Sequence, residues 1–129
     1  MILITGATGF VGSYLQKKKK NYKKFRGDIR SKLNVDKQVK NASIIIHLAA
    51  LMNGSPKEIF DTNVNGTKNL LECAVAHNVS QFIFGSSSSV YGNYKKIPFS
   101  EDDLCSLVRE KLNLGPLDAA AVMCAALPV

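Results

Sequence analysis

Four residues, Ile2–Thr5, form a short apolar run, and the chain turns directly from them into Gly6-Ala7-Thr8-Gly9-Phe10-Val11-Gly12. The run reads as a buried strand, and Ser13, Tyr14, Leu15 and the lysines after them read as a helix. Glycines at a spacing of three, set between a strand and a helix, constrain the backbone more than any other feature of the sequence. In such a turn a phosphate linker can lie against main-chain N–H groups, and a Cβ at Gly6 or Gly9 would stand in its way. Gly12 lets the helix close tightly on the strand. The free amides and dipole of the helix N-terminus then hold negative charge. The pattern points to the pyrophosphate of a dinucleotide.

Two further runs, Ser43–Leu48 and Gln81–Phe84, read as strands. The first is too continuous for a sheet wetted on one side and implies a parallel strand covered on both faces. Between them Ser55, Pro56 and Glu58 make a helix start with a capping box. Ile59, Phe60, Asn63, Val64, Thr67, Leu70, Leu71, Ala74 and Val75 then keep a 3.6-residue period, and Asn78 is a stop. Asn21–Arg26 reads as a strand and Leu33–Lys40 as a short helix. Strand, helix and strand in alternation imply an α/β fold, a Rossmann-type doubly wound parallel sheet of about four strands.

The net charge of +7 comes from 17 basic and 10 acidic residues. Lys17, Lys18, Lys19, Lys20, Lys23, Lys24 and Arg26 account for all of that excess. The basicity is one local patch with few interleaved aromatics, which argues for a solvated face and against nucleic acid as partner. No apolar run reaches the ~18 residues of a membrane span, and the first residues lack the pattern of a signal peptide. With 46% hydrophobic residues the chain has enough apolar side chains for a core. Cys73, Cys105 and Cys124 are widely spaced and form no metal-ligand pattern with His47 or His77, so no metal site is expected. These features imply a cytoplasmic protein with reduced thiols.

Spacing nominates Asp28 for a ribose 2′-hydroxyl, since an acid is expected roughly 20 residues beyond the glycine turn. Five motifs then stand in order. They are Ile4–Ser13, Gly27-Asp28-Ile29-Arg30, Ile46-His47-Leu48-Ala49-Ala50, Asn63–Glu72 and Ser86-Ser87-Ser88-Ser89-Val90-Tyr91-Gly92. Together they resemble the extended short-chain dehydrogenase/reductases. Within that group the chain resembles the NAD-dependent epimerase/dehydratases of nucleotide sugars, such as UDP-glucose 4-epimerase, over residues 1 to about 103. The resemblance implies NAD as cofactor, with NADP left open, and a nucleotide sugar as the substrate of a complete relative.

By that resemblance, Gly6, Gly9, Phe10, Val11 and Gly12 hold the pyrophosphate. Asp28 and Ile29 match the pair that contacts adenine, a different role from the one spacing gave Asp28. Leu48, Ala49 and Ala50 line the path beside the nicotinamide-side ribose, and Thr62 is a polar cofactor contact. Asn63 matches an asparagine that helps hold a water near the catalytic lysine. Ser87 takes the catalytic Ser/Thr position, with Ser86 and Ser88 as alternatives.

The family pattern also calls for a tyrosine and a lysine four residues apart on a later helix, where the tyrosine exchanges the hydroxyl proton. The corresponding stretch, Leu107–Leu112, has no tyrosine, and none occurs after Tyr94. Tyr91 and Lys95 have the spacing but flank Gly92 and Asn93 in a loop sequence. Tyr14 and Lys18 belong to the phosphate helix. Neither pair is catalytic. Only Ser13–Arg26 separates the first helix from Gly-Asp-Ile, so one strand–helix unit is expected to be deleted, with Tyr22–Arg26 sliding in beside the first strand. The expected organisation is a dinucleotide-binding domain at residues 1–103, with a divergent tail at 104–129. That tail is helical in part and packs on the domain or on a second copy in a homodimer. The substrate-binding half of the family is expected to be absent, leaving a truncated protein. The sequence is compatible with an inactive epimerase/dehydratase fragment, a dinucleotide-binding or sensor module, or a non-functional remnant.

Overall fold

The computed structural model describes residues 1–18 and 21–86. Strands β1 (Ile2–Thr5), β2 (Tyr22–Lys24), β3 (Ile44–His47) and β4 (Gln81–Phe84) form one parallel sheet in the order β2-β1-β3-β4. Ile2 stands opposite Tyr22 on one side and opposite Ile44 on the other, and Ile44 stands opposite Gln81. The segment expected beside the first strand is there. Its pairing continues past β2, where the Phe25 N–H donates to the Ile4 carbonyl at 2.8 Å.

Helix α1 (Phe10–Lys18) links β1 to β2, and α2 (Lys32–Val39) links β2 to β3. Ser31 caps α2 by accepting from the Asn34 N–H. Gln38 on α2 ties down the end of β2, accepting from the Arg26 N–H at 2.8 Å and donating to the Arg26 carbonyl. Val35 and Val39 of α2 meet Leu70, Cys73 and Ala74 over Leu3 and Ile45 of the sheet, and this is the core. Burial has pushed the Cys73 thiol pKa up.

The segment from Ser55 onward departs from a single regular helix. Pro56–Phe60 (α3) is α-helical, Asp61–Asn65 is a π-helical turn, and Gly66–Ala76 (α4) is α-helical again. The capping box closes as expected, with Glu58 accepting from the Ser55 N–H at 2.9 Å. A π turn inserts one residue and so rotates the helix before it relative to the helix after it. The expected apolar face is therefore broken. Phe60 is 52% exposed, whereas Asn63, Val64, Thr67 and Leu70 are buried. Asn78 does end α4, in a left-handed conformation at φ 53°. Its N–H donates to Val75 and that of Val79 to Ala74, satisfying two terminal carbonyls.

β3 also differs from expectation. Ile45 and His47 are buried, but Ile44 and Ile46 are only half-buried, so among the described residues the second face of the sheet is incompletely covered. Among the described residues, no helix is long and apolar enough to cross a membrane. The tail beyond residue 103 and the Val90-Tyr91-Gly92 motif lie outside the described residues.

Candidate functional site

The chain leaves β1 toward β2 on one side and returns through β3 on the other, so its connections diverge at the carboxyl ends of β1 and β3. A parallel sheet opens its ligand crevice at such a point. A cavity of about 790 Å³ lies there. Thr5, Gly6 and Gly9 line it from the first strand and turn, and Leu48–Leu51 line it from the end of β3. Phe25 and Asp28–Arg30 contribute from the β2–α2 connection, and Glu58 and Thr62 from α3 and the π turn.

Eight of the residues nominated from sequence thus share one cavity: Gly6, Gly9, Asp28, Ile29, Leu48, Ala49, Ala50 and Thr62. Phe10, Val11 and Gly12 instead border a second cavity of about 330 Å³, which also has Gly6, Gly9 and Leu48 in its wall. Ser86, an alternative to Ser87, lies in that same second cavity. Ser87 itself lies outside the described residues.

The glycines are required for different reasons. Gly6 has φ +65°, and a Cβ there would come within 2.5 Å of the Ala49 nitrogen and the Leu48 carbonyl carbon. The two sheet-end loops touch main chain to main chain, and only glycine permits that approach. A Cβ at Gly12 would stand 2.7 Å from the Ala7 Cα, so the helix closes on the turn itself. Gly9 is different: its Cβ would meet only the Gly6 carbonyl oxygen, at 3.3 Å, and otherwise open space. The sequence grouped Gly6 with Gly9 as ligand-facing, yet the fold alone already demands Gly6.

Beneath the crevice runs a buried hydrogen-bond chain that the sequence did not disclose. The Thr5 Oγ1 lies 2.6 Å from His47 Nδ1, and His47 Nε2 lies 2.8 Å from Thr67 Oγ1. The Thr67 hydroxyl donates to the Asn63 carbonyl at 2.7 Å. Thr67 therefore accepts from His47 Nε2–H, and Nδ1 accepts from the Thr5 hydroxyl. The Thr5 oxygen in turn accepts from the Leu48 and Ala49 N–H groups, each at 3.2 Å. Every donor in the chain points one way, and the imidazole is neutral. Burial has pushed the His47 pKa down to about 4. Asn63 closes the loop, accepting from the Leu51 N–H at 2.7 Å and donating to the Leu51 carbonyl at 2.9 Å. The residues Leu48–Leu51, which form one wall of the crevice, are thus held at both ends.

Asp28 is turned toward Arg30. Its carboxylate accepts from the Arg30 main-chain N–H at 2.8 Å and pairs with the guanidinium at 2.6 Å. The Arg30 side-chain hydrogen bond holds the Asp28 carboxyl below the usual carboxylate range. Ile29 is 5% exposed and belongs mainly to the core, with an edge reaching the cavity.

Thr5, Thr8, Phe25, Arg30, Leu51 and Glu58 also line the cavity, and sequence reasoning missed them as site residues. For Thr5 and Leu51 a signal existed in their place one residue beyond or within motifs already singled out. For Phe25 and Glu58 none did, because their position depends on where β2 and α3 settle.

The pattern of the NAD-dependent epimerase/dehydratase family matches residues 2–109. The chain belongs to this family. This family member is 37% identical over 83 residues to the bifunctional UDP-glucose 4-epimerase and UDP-xylose 4-epimerase 1 of Pisum sativum, a match covering 59% of this chain and 24% of that one. It is 32% identical over 143 aligned positions to protein CapI of Staphylococcus aureus, covering 79% of this chain and 42% of CapI. Among solved structures, MoeE5 in complex with UDP-glucose and NAD superposes at a TM-score of 0.70 with 33% identity, covering 97% of this chain and 46% of MoeE5. WbmG of Bordetella bronchiseptica, in complex with NAD and UDP, superposes at 0.75 with 17% identity, covering 98% and 49%; that likeness bears on the fold alone. This epimerase/dehydratase family member therefore spans under half the length of each of these relatives.

Proposed function

We propose that the chain binds a nicotinamide adenine dinucleotide in the crevice between the ends of β1 and β3, as the cofactor-holding part of a nucleotide-sugar epimerase/dehydratase. The observation that carries this is Gly9. Gly6 and Gly12 are demanded by the chain's own backbone, whereas the space beside Gly9 is left open by the protein. A cradle that a side chain would fill, next to a helix N-terminus, suits a pyrophosphate.

In this reading Gly6, Gly9, Phe10, Val11 and Gly12 hold the pyrophosphate, and Asp28 with Ile29 borders the adenine. Leu48, Ala49 and Ala50 border the nicotinamide-side ribose, with Thr62 as a polar contact. NAD, when bound, supplies a hydride acceptor and donor. Ser87 holds the hydroxyl of a sugar nucleotide. The setting is cytoplasmic, and the dinucleotide-binding part is residues 1–103.

The Tyr-x-x-x-Lys pair of the family has no counterpart in the sequence after Tyr94. That absence favours a chain that holds the dinucleotide without turning over a sugar by itself. The test is a titration of the 129-residue protein with NADH, following nicotinamide fluorescence, alongside an assay for UDP-glucose epimerisation. Saturable binding without turnover is expected. No binding overturns the reading of the crevice, and sustained epimerisation overturns the claim of inactivity.

A further inference from the structure

β2 lies at one edge of the sheet, and among the described residues β1 is its only neighbour. In a parallel ladder, alternate residues of a strand turn both main-chain groups to the same side. The Phe25 N–H donates to the Ile4 carbonyl, so Phe25 and Lys23 turn toward β1. The N–H and carbonyl of Tyr22, Lys24 and Arg26 therefore face outward. Arg26 bears this out, because both of its main-chain groups are taken by the Gln38 side-chain amide, which stands there as a neighbouring strand would. Tyr22 and Lys24 have no such substitute among the described residues.

A cavity of about 480 Å³ lies at this edge, lined by Tyr22, Lys23, Lys24, Arg26 and Gln38. It shares no residue with the dinucleotide crevice. No carboxylate lines it, and Lys23, Lys24 and Arg26 are exposed and without an ion-pair partner among the described residues. Edge lysines ordinarily keep two copies of a sheet from joining, since like charges repel. The same cations attract an acidic chain. A nucleic-acid backbone offers its phosphates as acceptors only, which suit the cations but leave the outward carbonyls of Tyr22 and Lys24 unmatched. An extended polypeptide brings donors and acceptors together, the pair that Gln38 already supplies at Arg26.

We propose that the open edge of β2 takes up an extended acidic segment of another protein as an added strand. Its main chain pairs with Tyr22 and Lys24, and its carboxylates meet Lys23, Lys24 and Arg26. Main-chain hydrogen bonds hold the strand, and the cations select an acidic sequence.

The test is fluorescence anisotropy of the full chain with a fluorescein-labelled peptide that alternates glutamate and valine, beside one that alternates lysine and valine and a labelled oligothymidylate. Two variants are compared, each with a thermal melt to confirm folding. Lys24→Glu reverses an exposed charge. Tyr22→Pro removes an outward N–H at the first residue of the strand, where proline is tolerated, and leaves every cation in place. The glutamate peptide is expected to bind and the lysine peptide not to bind. Lys24→Glu weakens the glutamate peptide about tenfold and Tyr22→Pro about fivefold, the scales of one charge-assisted and one neutral hydrogen bond. No binding of the glutamate peptide, or equal binding of the two peptides, overturns the proposal. Glutamate-peptide binding that Tyr22→Pro leaves unchanged, with oligothymidylate bound as tightly, overturns it in favour of a general polyanion surface. Binding that emerges only when Glu101, Asp102 and Asp103 are replaced by their amides overturns it in favour of the chain's own acidic segment.

Discussion

The Thr5 hydroxyl, at the carboxyl end of β1, lies 2.6 Å from Nδ1 of His47 at the carboxyl end of β3. Both residues are fully buried, and they stand opposite one another in the sheet register. The contact joins the two strand ends that frame the crevice, and through Thr67 it reaches the π turn.

Because burial lowers the His47 pKa from its ordinary 6.5 to about 4, the unfolded chain takes up a proton at this site over a pH range where the folded protein does not. Its contribution to stability is therefore complete above pH 6.5 and is lost as the pH falls from 6.5 toward 4. The loss is on the order of 3 kcal/mol, and urea unfolding at a series of pH values measures it. His47→Gln is expected to flatten that slope between pH 6.5 and 4. An unchanged slope in the variant assigns the acid sensitivity to other groups.

Gly6→Ala and Gly9→Ala should separate folding from binding. At Gly6 a methyl group meets Leu48 and Ala49 main chain at a positive φ. A loss of roughly 3 kcal/mol or more is expected in a denaturant melt. At Gly9 the cost should stay below about 1 kcal/mol, while NADH affinity falls about tenfold or more because the methyl group enters the ligand's space. Equal stability losses in the two variants would contradict this division of roles.

Asn63→Ala removes both hydrogen bonds to Leu51 and leaves that residue's N–H and carbonyl without their partner. Asn63 is 1% exposed. The expected cost is about 2 kcal/mol of stability, accompanied by faster amide hydrogen exchange at Leu51. Protection at Leu51 equal to that of the parent protein would show that the segment is held by other contacts.

Ser55→Ala opens the capping box of α3 and should cost about 1 kcal/mol, read as a shift in the thermal midpoint. Asp28→Asn breaks an exposed ion pair, and its effect on stability should stay within about 1 kcal/mol. Any larger effect of Asp28→Asn on dinucleotide affinity than on stability places Asp28 at the ligand.

The glycine spacing, the apolar runs and the Ser55-Pro56-Glu58 start were legible because each is governed by neighbours in sequence. Steric freedom, strand burial and capping all act over a few residues. The regular helix expected after Ser55 was not what formed, because a π turn is decided by what the helix packs against. The burial of Asn63 and Thr67 beneath Leu51 and His47 outweighs an unbroken period in apolar residues.

The amino-acid sequence by itself determined that a strand hands over to a helix through a turn suited to phosphate, and that alternating strands and helices build a parallel sheet. Only the tertiary structure decided that Gly6 serves the meeting of two loops while Gly9 faces open space. It alone also set His47 between two threonines. The reason is distance along the chain. Turns and caps are settled by residues a few positions apart, whereas Thr5 and His47 are separated by 42 positions and meet only because β1 and β3 pair.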